Sequence, residues 1–164
     1  MLLLMILVQT EKFIPLAISN LLSGKPIPIY GQGVNVRDWL YVEDHCRAVE
    51  AILLNGKIGE TYCVGGGAES DNITLARKLL QLFGFDDSYL EFVTDRPGHD
   101  LRYAMDYSKI ERELGWRPSV SLDDGLAKTV AWFRDHRAWV EQCTSGDYKT
   151  YYERQYGQRS TTNE

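Results

Sequence analysis

Apolar residues return along this chain in short blocks whose period switches between that of a helix and that of a strand. Phe13, Ala17 and Leu21 recur at roughly helical spacing after Thr10, which can cap a helix, with Pro15 tolerated only in the first turns and Gly24 as the stop. Pro26 to Tyr30 alternates proline with isoleucine and reads as a short edge strand before a flexible Gly31-Gln32-Gly33 loop. Val34 to Val42 is β-branched and aromatic, which predicts a strand carrying Arg37 and Asp38. Asp44 reads as the N-cap of a helix whose Val49, Ile52 and Leu53 stripe ends at Gly56. Glu60 to Val64 predicts a short strand running into Gly65-Gly66-Gly67, where backbone can approach another group closely. Ser70, Asp71 or Asn72 then caps a helix with Ile73, Ala76, Leu80 and Phe83 inward, up to Gly84.

Tyr89 to Thr94 predicts a strand that delivers the densest polar stretch, Asp95 to Asp106, with two arginines, a histidine and three aspartates. Pro97-Gly98 forces a turn there, because proline fixes its own φ and biases Arg96 towards an extended conformation. The fork of donors on a guanidinium suits two oxygens of one phosphate, so Arg96 is a candidate anion clamp. A solvated surface loop is the alternative. Asp106 caps a short helix through Leu114, which Gly115-Trp116-Arg117-Pro118 breaks. Ser121 with Asp124 resembles a capping box for a last well-patterned helix, buried along Leu122, Leu126, Val130 and Phe133. The tyrosine-rich tail from Gly146 is expected to fray at its end. Short strands alternating with helices predict an α/β fold, with too few strands for a full doubly wound sheet.

Composition narrows the function. The chain has 164 residues, 44% hydrophobic and 25% charged, which is ordinary for one globular domain with a core. A net charge of −5 argues against a general polyanion binder, so no nucleic-acid partner is expected and any phosphate must be held locally. Cys46, Cys63 and Cys143 are odd in number and widely spaced, without metal-like pairing, and are read as reduced thiols of a cytoplasmic protein. Met1 to Val8 is apolar but far short of the roughly 20 residues of a membrane helix, and lacks the features of a signal peptide. Residues 1–10 are therefore expected to be an atypical, truncated start, residues 11–156 a binding domain and residues 157–164 a frayed tail.

Several residues leave two readings open. Lys12 at a helix start opposes the macrodipole, so it is either paired with an anion or simply solvated. Arg37 either pairs with Asp38 or, because neighbours on a strand point to opposite faces, meets a ligand. Asn72 caps its helix or reaches a ligand at that helix N-terminus. His45 and Cys46 read as structural, and one Gly-x-Gly that opens no helix is not a dinucleotide fingerprint.

Taken together, the stretches Glu11-Lys12-Phe13-Ile14-Pro15, Pro28-Ile29-Tyr30-Gly31, Arg37 to His45, Asp95 to Asp106 and Glu113 to Pro118 carry a resemblance. The chain resembles the C-terminal, substrate-binding part of extended short-chain dehydrogenase/reductases, the NAD-dependent epimerase/dehydratase family, closest to its nucleotide-sugar 4,6-dehydratase branch. The fold this implies is α/β, with only the last strands and helices of the Rossmann domain. The resemblance further implies a dTDP-sugar ligand held by Lys12, Phe13, Pro28, Tyr30, Arg37, Asn72, Arg96, His99 and Tyr148. Full-length relatives work as homodimers that use NAD to oxidise the sugar at C4, remove water across C5 and C6 and return the hydride. This chain has no Gly-x-x-Gly-x-x-Gly, Tyr-x-x-x-Lys or Thr-Asp-Glu, so no NAD binding and no catalysis are expected of it alone. A fragment of a UDP-sugar epimerase or decarboxylase, or a non-catalytic module, are the alternatives. Apolar faces left open, such as Met1 to Val8 and the Val49, Ile52, Leu53 stripe, are expected to drive association.

Overall fold

The computed structural model describes residues 12–95 and 97–144, so the apolar start, Arg96 and the tail with Tyr148 lie outside the described residues. In chain order the elements are α1 (Phe13–Leu22), β1 (Ile27–Tyr30), β2 (Val36–Asp38), α2 (Val42–Asn55), β3 (Glu69–Asp71), α3 (Asn72–Phe83), a 3₁₀ turn (Asp87–Tyr89), β4 (Leu90–Val93), β5 (Arg102–Tyr103), α4 (Ser108–Leu114), α5 (Leu122–Asp135) and α6 (Arg137–Thr144). β1 and β4 pair in parallel, with Ile27 opposite Leu90 and Tyr30 opposite Val93. A second small sheet has the order β3-β2-β5, antiparallel between β2 and β3 and parallel between β2 and β5.

Helix periodicity is obeyed most closely around the larger core. Ala17, Ile18 and Leu21 from α1, Ile27 and Ile29 from β1, Leu75, Ala76, Leu79 and Leu80 from α3, and Leu126, Val130 and Phe133 from α5 are buried together. Each large aliphatic side chain removed from water there contributes roughly 1.5–3 kcal/mol. The end of α1 follows its cue: it closes with Lys25 N–H and Ser23 N–H on the Asn20 carbonyl and Gly24 N–H on that of Leu21, which satisfies carbonyls of the last turn. At the start of α5 the Ser121 hydroxyl accepts from the Asp124 amide, the pairing expected there.

Three expectations change. The strand expected over Val34 to Val42 shrinks to Val36–Asp38, because β3 and β5 offer only a few rungs and the chain turns helical at Val42. Glu60 to Val64 pairs with no strand among the described residues, although Tyr62 and Val64 alternate inward against the smaller core of Ala48, Ile110 and Trp116. Its side chains keep the strand period while its backbone has no ladder neighbour among the described residues. Asp44 is not a cap. It lies in the first turn of α2, fully buried, and its carboxylate accepts from the Ser119 amide at 3.0 Å, the Val120 amide at 2.9 Å and the Ser119 hydroxyl at 2.9 Å. Arg47 pairs with it, and the Trp116 indole donates to its carbonyl. β5 and α6, which no pattern announced, complete the fold.

Burial opposes ionisation of Asp44, but the amides of Val120 and Ser119, the Ser119 hydroxyl and Arg47 outweigh it and hold the pKa below the ordinary carboxylate value. A lowered folded-state pKa adds stability that is complete above the unfolded value and lost as the pH falls through the folded one. Asp44→Ala strands buried amides and should cost about 2–4 kcal/mol, read from the urea midpoint. In Asp44→Asn that midpoint should change less than in wild type between about pH 5 and about pH 2.

Candidate functional site

Because β1 and β4 run in parallel, the chain leaves both at the same edge, and the loops beyond them meet. Gly31 N–H donates to the Val93 carbonyl at 2.9 Å, and the Asp95 carboxylate sits over Gly31, where a Cβ would meet its Oδ2 at 3.3 Å. His99 Nδ1 lies 2.7 Å from Asp95 Oδ1, with its side chain only 8% exposed. The Tyr30 ring stands edge-on to His99, centroids 6.0 Å apart. Between Asp95 and His99 the chain turns at Pro97-Gly98 as its composition demands, Gly98 adopting φ +71°.

Farther along the same loops, Asn35 donates from Nδ2 to the Asp100 carbonyl at 3.1 Å, and Arg37 reaches that carbonyl at 2.9 Å. Arg37 also donates to the Val36 carbonyl and lies over the Tyr103 ring, 4.9 Å from its centroid. It is not paired with Asp38, whose carboxylate instead accepts from the Gly66 and Ala68 amides at 2.8 and 3.0 Å. That contact explains the triple glycine: a Cβ at Gly66 would overlap the Trp39 carbonyl, so only glycine lets the loop approach. Arg102 is committed to Glu69, which takes both ends of its fork at 2.7 Å. The shared hydrogen bond lowers the Glu69 pKa and raises that of Arg102.

The first amides of α3 face this loop cluster. Asn72 N–H donates to the Asn35 carbonyl at 3.1 Å and Ile73 N–H to that of Gly33 at 3.0 Å. Asp71 caps the helix, accepting from the Thr74 amide at 2.9 Å, so Asn72 does not. Its Oδ1 is buried with no hydrogen-bond partner among the described residues. A buried acceptor left unpaired is costly, and such groups call for an explanation.

Lys12 and Phe13 stand apart from that cluster. They line a cleft of about 500 Å³ with Trp39, Tyr41, Leu122 and Trp132 among others, whereas Tyr30, Arg37, Asn72 and His99 do not line it. Lys12 occupies the N-cap position of α1 without a side-chain cap bond, and makes no ion pair among the described residues. Trp39 joins the two regions, with its ring 6.4 Å from that of Phe13 and its indole donating to the Ser70 carbonyl at 3.3 Å. Burial, then the charges of Glu43 and Asp44, push the Tyr41 phenol up. Pro28 is buried inside β1 opposite Glu91. Arg96 and Tyr148 lie outside the described residues. Sequence reasoning did not single out Asn35 or Asp95 as partners of the site; the place two residues past Gly33 and the four-residue spacing to His99 were their only signals.

A dinucleotide turn would need a glycine-rich loop opening a helix, and Gly31-Gln32-Gly33 instead joins β1 to β2. That loop is therefore not a dinucleotide turn. No cluster suited to a metal ion and no helix long and apolar enough to cross a membrane occurs among the described residues.

Comparison with known proteins defines the class. The chain belongs to the family described as GDP-mannose 4,6 dehydratase, whose sequence profile matches residues 7–129. It is 53% identical over 129 residues to a dTDP-glucose 4,6-dehydratase of Actinoplanes sp., covering 79% of this chain and 40% of that protein. With a dTDP-glucose 4,6-dehydratase of Streptomyces niveus it shares 49% over 140 residues, covering 85% and 42%. The crystal structure of DesIV, a dTDP-glucose 4,6-dehydratase from Streptomyces venezuelae with NAD and TYD bound, matches with a TM-score of 0.79 and 51% identity, over 82% of this chain and 42% of that one. A UDP-glucose 4-epimerase of Thermotoga maritima solved with UDP-glucose matches at TM-score 0.71 and 31% identity, over 76% and 40%. The chain thus spans about two fifths of the length of these relatives and corresponds to a C-terminal part of the dehydratase structures, as its motifs implied.

The two readings of Asn72 separate by mutation. Asp71→Ala should cost about 1 kcal/mol as a lost cap. Asn72→Ala, which removes an unmet acceptor and places a good helix former at the first helical position, should leave the thermal midpoint unchanged or higher.

Proposed function

We propose that this chain is the nucleotide-sugar-binding portion of a dTDP-glucose 4,6-dehydratase, the enzyme that converts dTDP-glucose to dTDP-4-keto-6-deoxyglucose and water. The observation that carries the reading is the gathering of Tyr30, Arg37, Asn72 and His99 around the loops that leave β1 and β4, in a chain about half identical to enzymes of that name. Ligands of open α/β sheets favour the carboxyl ends of strands. The cations Lys12, Arg37 and Arg96 serve the diphosphate, and Tyr30, Asn72, His99 and Tyr148 the remaining polar edges, with Phe13 and Pro28 as apolar walls.

When bound in the complete enzyme, NAD supplies the redox chemistry, and the residues of this chain bind and orient the sugar nucleotide. The 164 residues alone bind substrate without turning it over. The remainder of the enzyme covers the outer face of α2, where Val49 is 47%, Leu53 81% and Leu54 71% exposed, and the Glu60 to Val64 segment, which pairs with no strand among the described residues. Exposed apolar surface of this kind drives association when its cover is missing.

Titration of dTDP-glucose by calorimetry tests the binding reading. Arg96→Ala should weaken affinity by about ten- to a hundred-fold, the worth of one charge-assisted hydrogen bond of about 1.5–3 kcal/mol. Equal binding by the variant removes Arg96 from the site, and UDP-glucose competing as well as dTDP-glucose would favour the epimerase relationship. In gel filtration at high concentration the wild type should elute as associated species and Leu53→Glu should shift towards monomer. A wild type that stays monomeric contradicts the proposed cover on α2.

A further inference from the structure

We propose that the cleft between the start of α1, Trp39 to Tyr41 and α5 is the seat of this chain's own apolar segment, Met1 to Val8, bound within the same molecule. The cleft is about 500 Å³, the size of a ligand pocket, and its wall is mainly apolar. Phe13, Trp39, Tyr41, Leu122 and Trp132 line it and are only half-buried, so apolar surface is left open to the hollow. The wall is held from behind. The Trp39 indole donates to the Ser70 carbonyl and its backbone amide to the Ala68 carbonyl. A Cβ at Gly125 would meet the Tyr41 ring at 3.3 Å, so the glycine lets that ring lie on α5, with Lys128 Nζ 5.4 Å from its centroid. Trp132 is stacked on His136, centroids 4.2 Å apart, and stands T-shaped to Trp139. Walls braced in this way resist collapse into the hollow, and apolar surface of this kind marks an interaction site.

Reach and chemistry select the occupant. Lys12 lines the cleft and is the first described residue, and only Gln9, Thr10 and Glu11 separate it from Val8. Four steps of chain keep Val8 within roughly 14 Å of Lys12. Met1 to Val8 carries eight apolar side chains and no charged one, so it gains by leaving water for an apolar wall. A segment tethered this closely meets the cleft at an effective concentration in the millimolar range, which a separate partner lacks. The family profile begins at residue 7, so most of the segment lies ahead of what that profile describes. Among the described residues of the proposed nucleotide-sugar site only Lys12 and Phe13 line this cleft, so the cover and that function are tested separately.

Photo-crosslinking in the full chain reports what the segment touches and on which molecule. Leu4→p-benzoylphenylalanine is irradiated in an equal mixture of ordinary and ¹⁵N-labelled chains, and the links are mapped by mass spectrometry. The expected links run to Trp39–Val42 and to Leu122–Phe133 within one chain, and persist in the Leu53→Glu background, where association through α2 is removed. Links mainly between chains, links to the outer face of α2, or none to the cleft overturn the proposal. Fluorotryptophan-labelled protein gives a second readout, with its four ¹⁹F signals assigned by Trp→Phe substitutions. Leu3→Gln/Leu4→Gln/Ile6→Gln should shift the Trp39 and Trp132 signals and enlarge their H₂O/D₂O difference, while Trp116, buried in the smaller core, stays in place. Unmoved Trp39 and Trp132 signals overturn the cover. If the Trp116 signal shows that this variant unfolds, the cross-link map decides.

Discussion

The parallel pairing of β1 with β4 is the constraint on which the rest depends. Four rungs from Ile27–Leu90 to Tyr30–Val93 send both chains out at one edge, where Tyr30, Asp95 and His99 come together on the loops beyond. An antiparallel pair would have put Tyr30 and Asp95 at opposite ends. Parallel strands need long crossovers between them, and here the crossover holds β2, α2, β3 and α3, which return to supply Arg37 and Asn72 to the same edge. The ladder itself is held by burial, since Ile27 and Ile29 are fully inside the core that α1, α3 and α5 close over.

A second support runs through one buried carboxylate. Asp44 ties the first turn of α2 to the Ser119–Val120 segment that leads into α5, and so joins the smaller core around Ala48 and Trp116 to the larger one. Burying a charge is expensive unless it is fully hydrogen-bonded, and Asp44 meets two amides, a hydroxyl and a guanidinium. The same logic holds Trp39 near the cleft, where Asp38 draws the Gly66 loop against its carbonyl.

Several cations of this acidic chain are paired at its surface. Arg77, Lys78, Arg102 and Lys109 are committed to carboxylates at the surface, where such pairs add little stability but do neutralise one another. Arg37 is spent on backbone carbonyls at the site's rim, which fixes its position while its charge stays uncancelled by Asp38.

Local chemistry legible in the residues determined the helices α1 to α5, the Pro97-Gly98 turn, the close approach at Gly65-Gly66 and the α/β class, because each depends on neighbours within a few positions; α6 left no such pattern. The motifs also sufficed to identify the family. Tertiary structure alone decided that Asp44 is a buried tie and not a cap, that Arg102 belongs to Glu69, that Glu60 to Val64 finds no strand among the described residues, and that Asp95 faces His99. Partner choice for a charged side chain and pairing for a strand are set by segments distant in sequence, whose approach is fixed by the core and leaves no local trace.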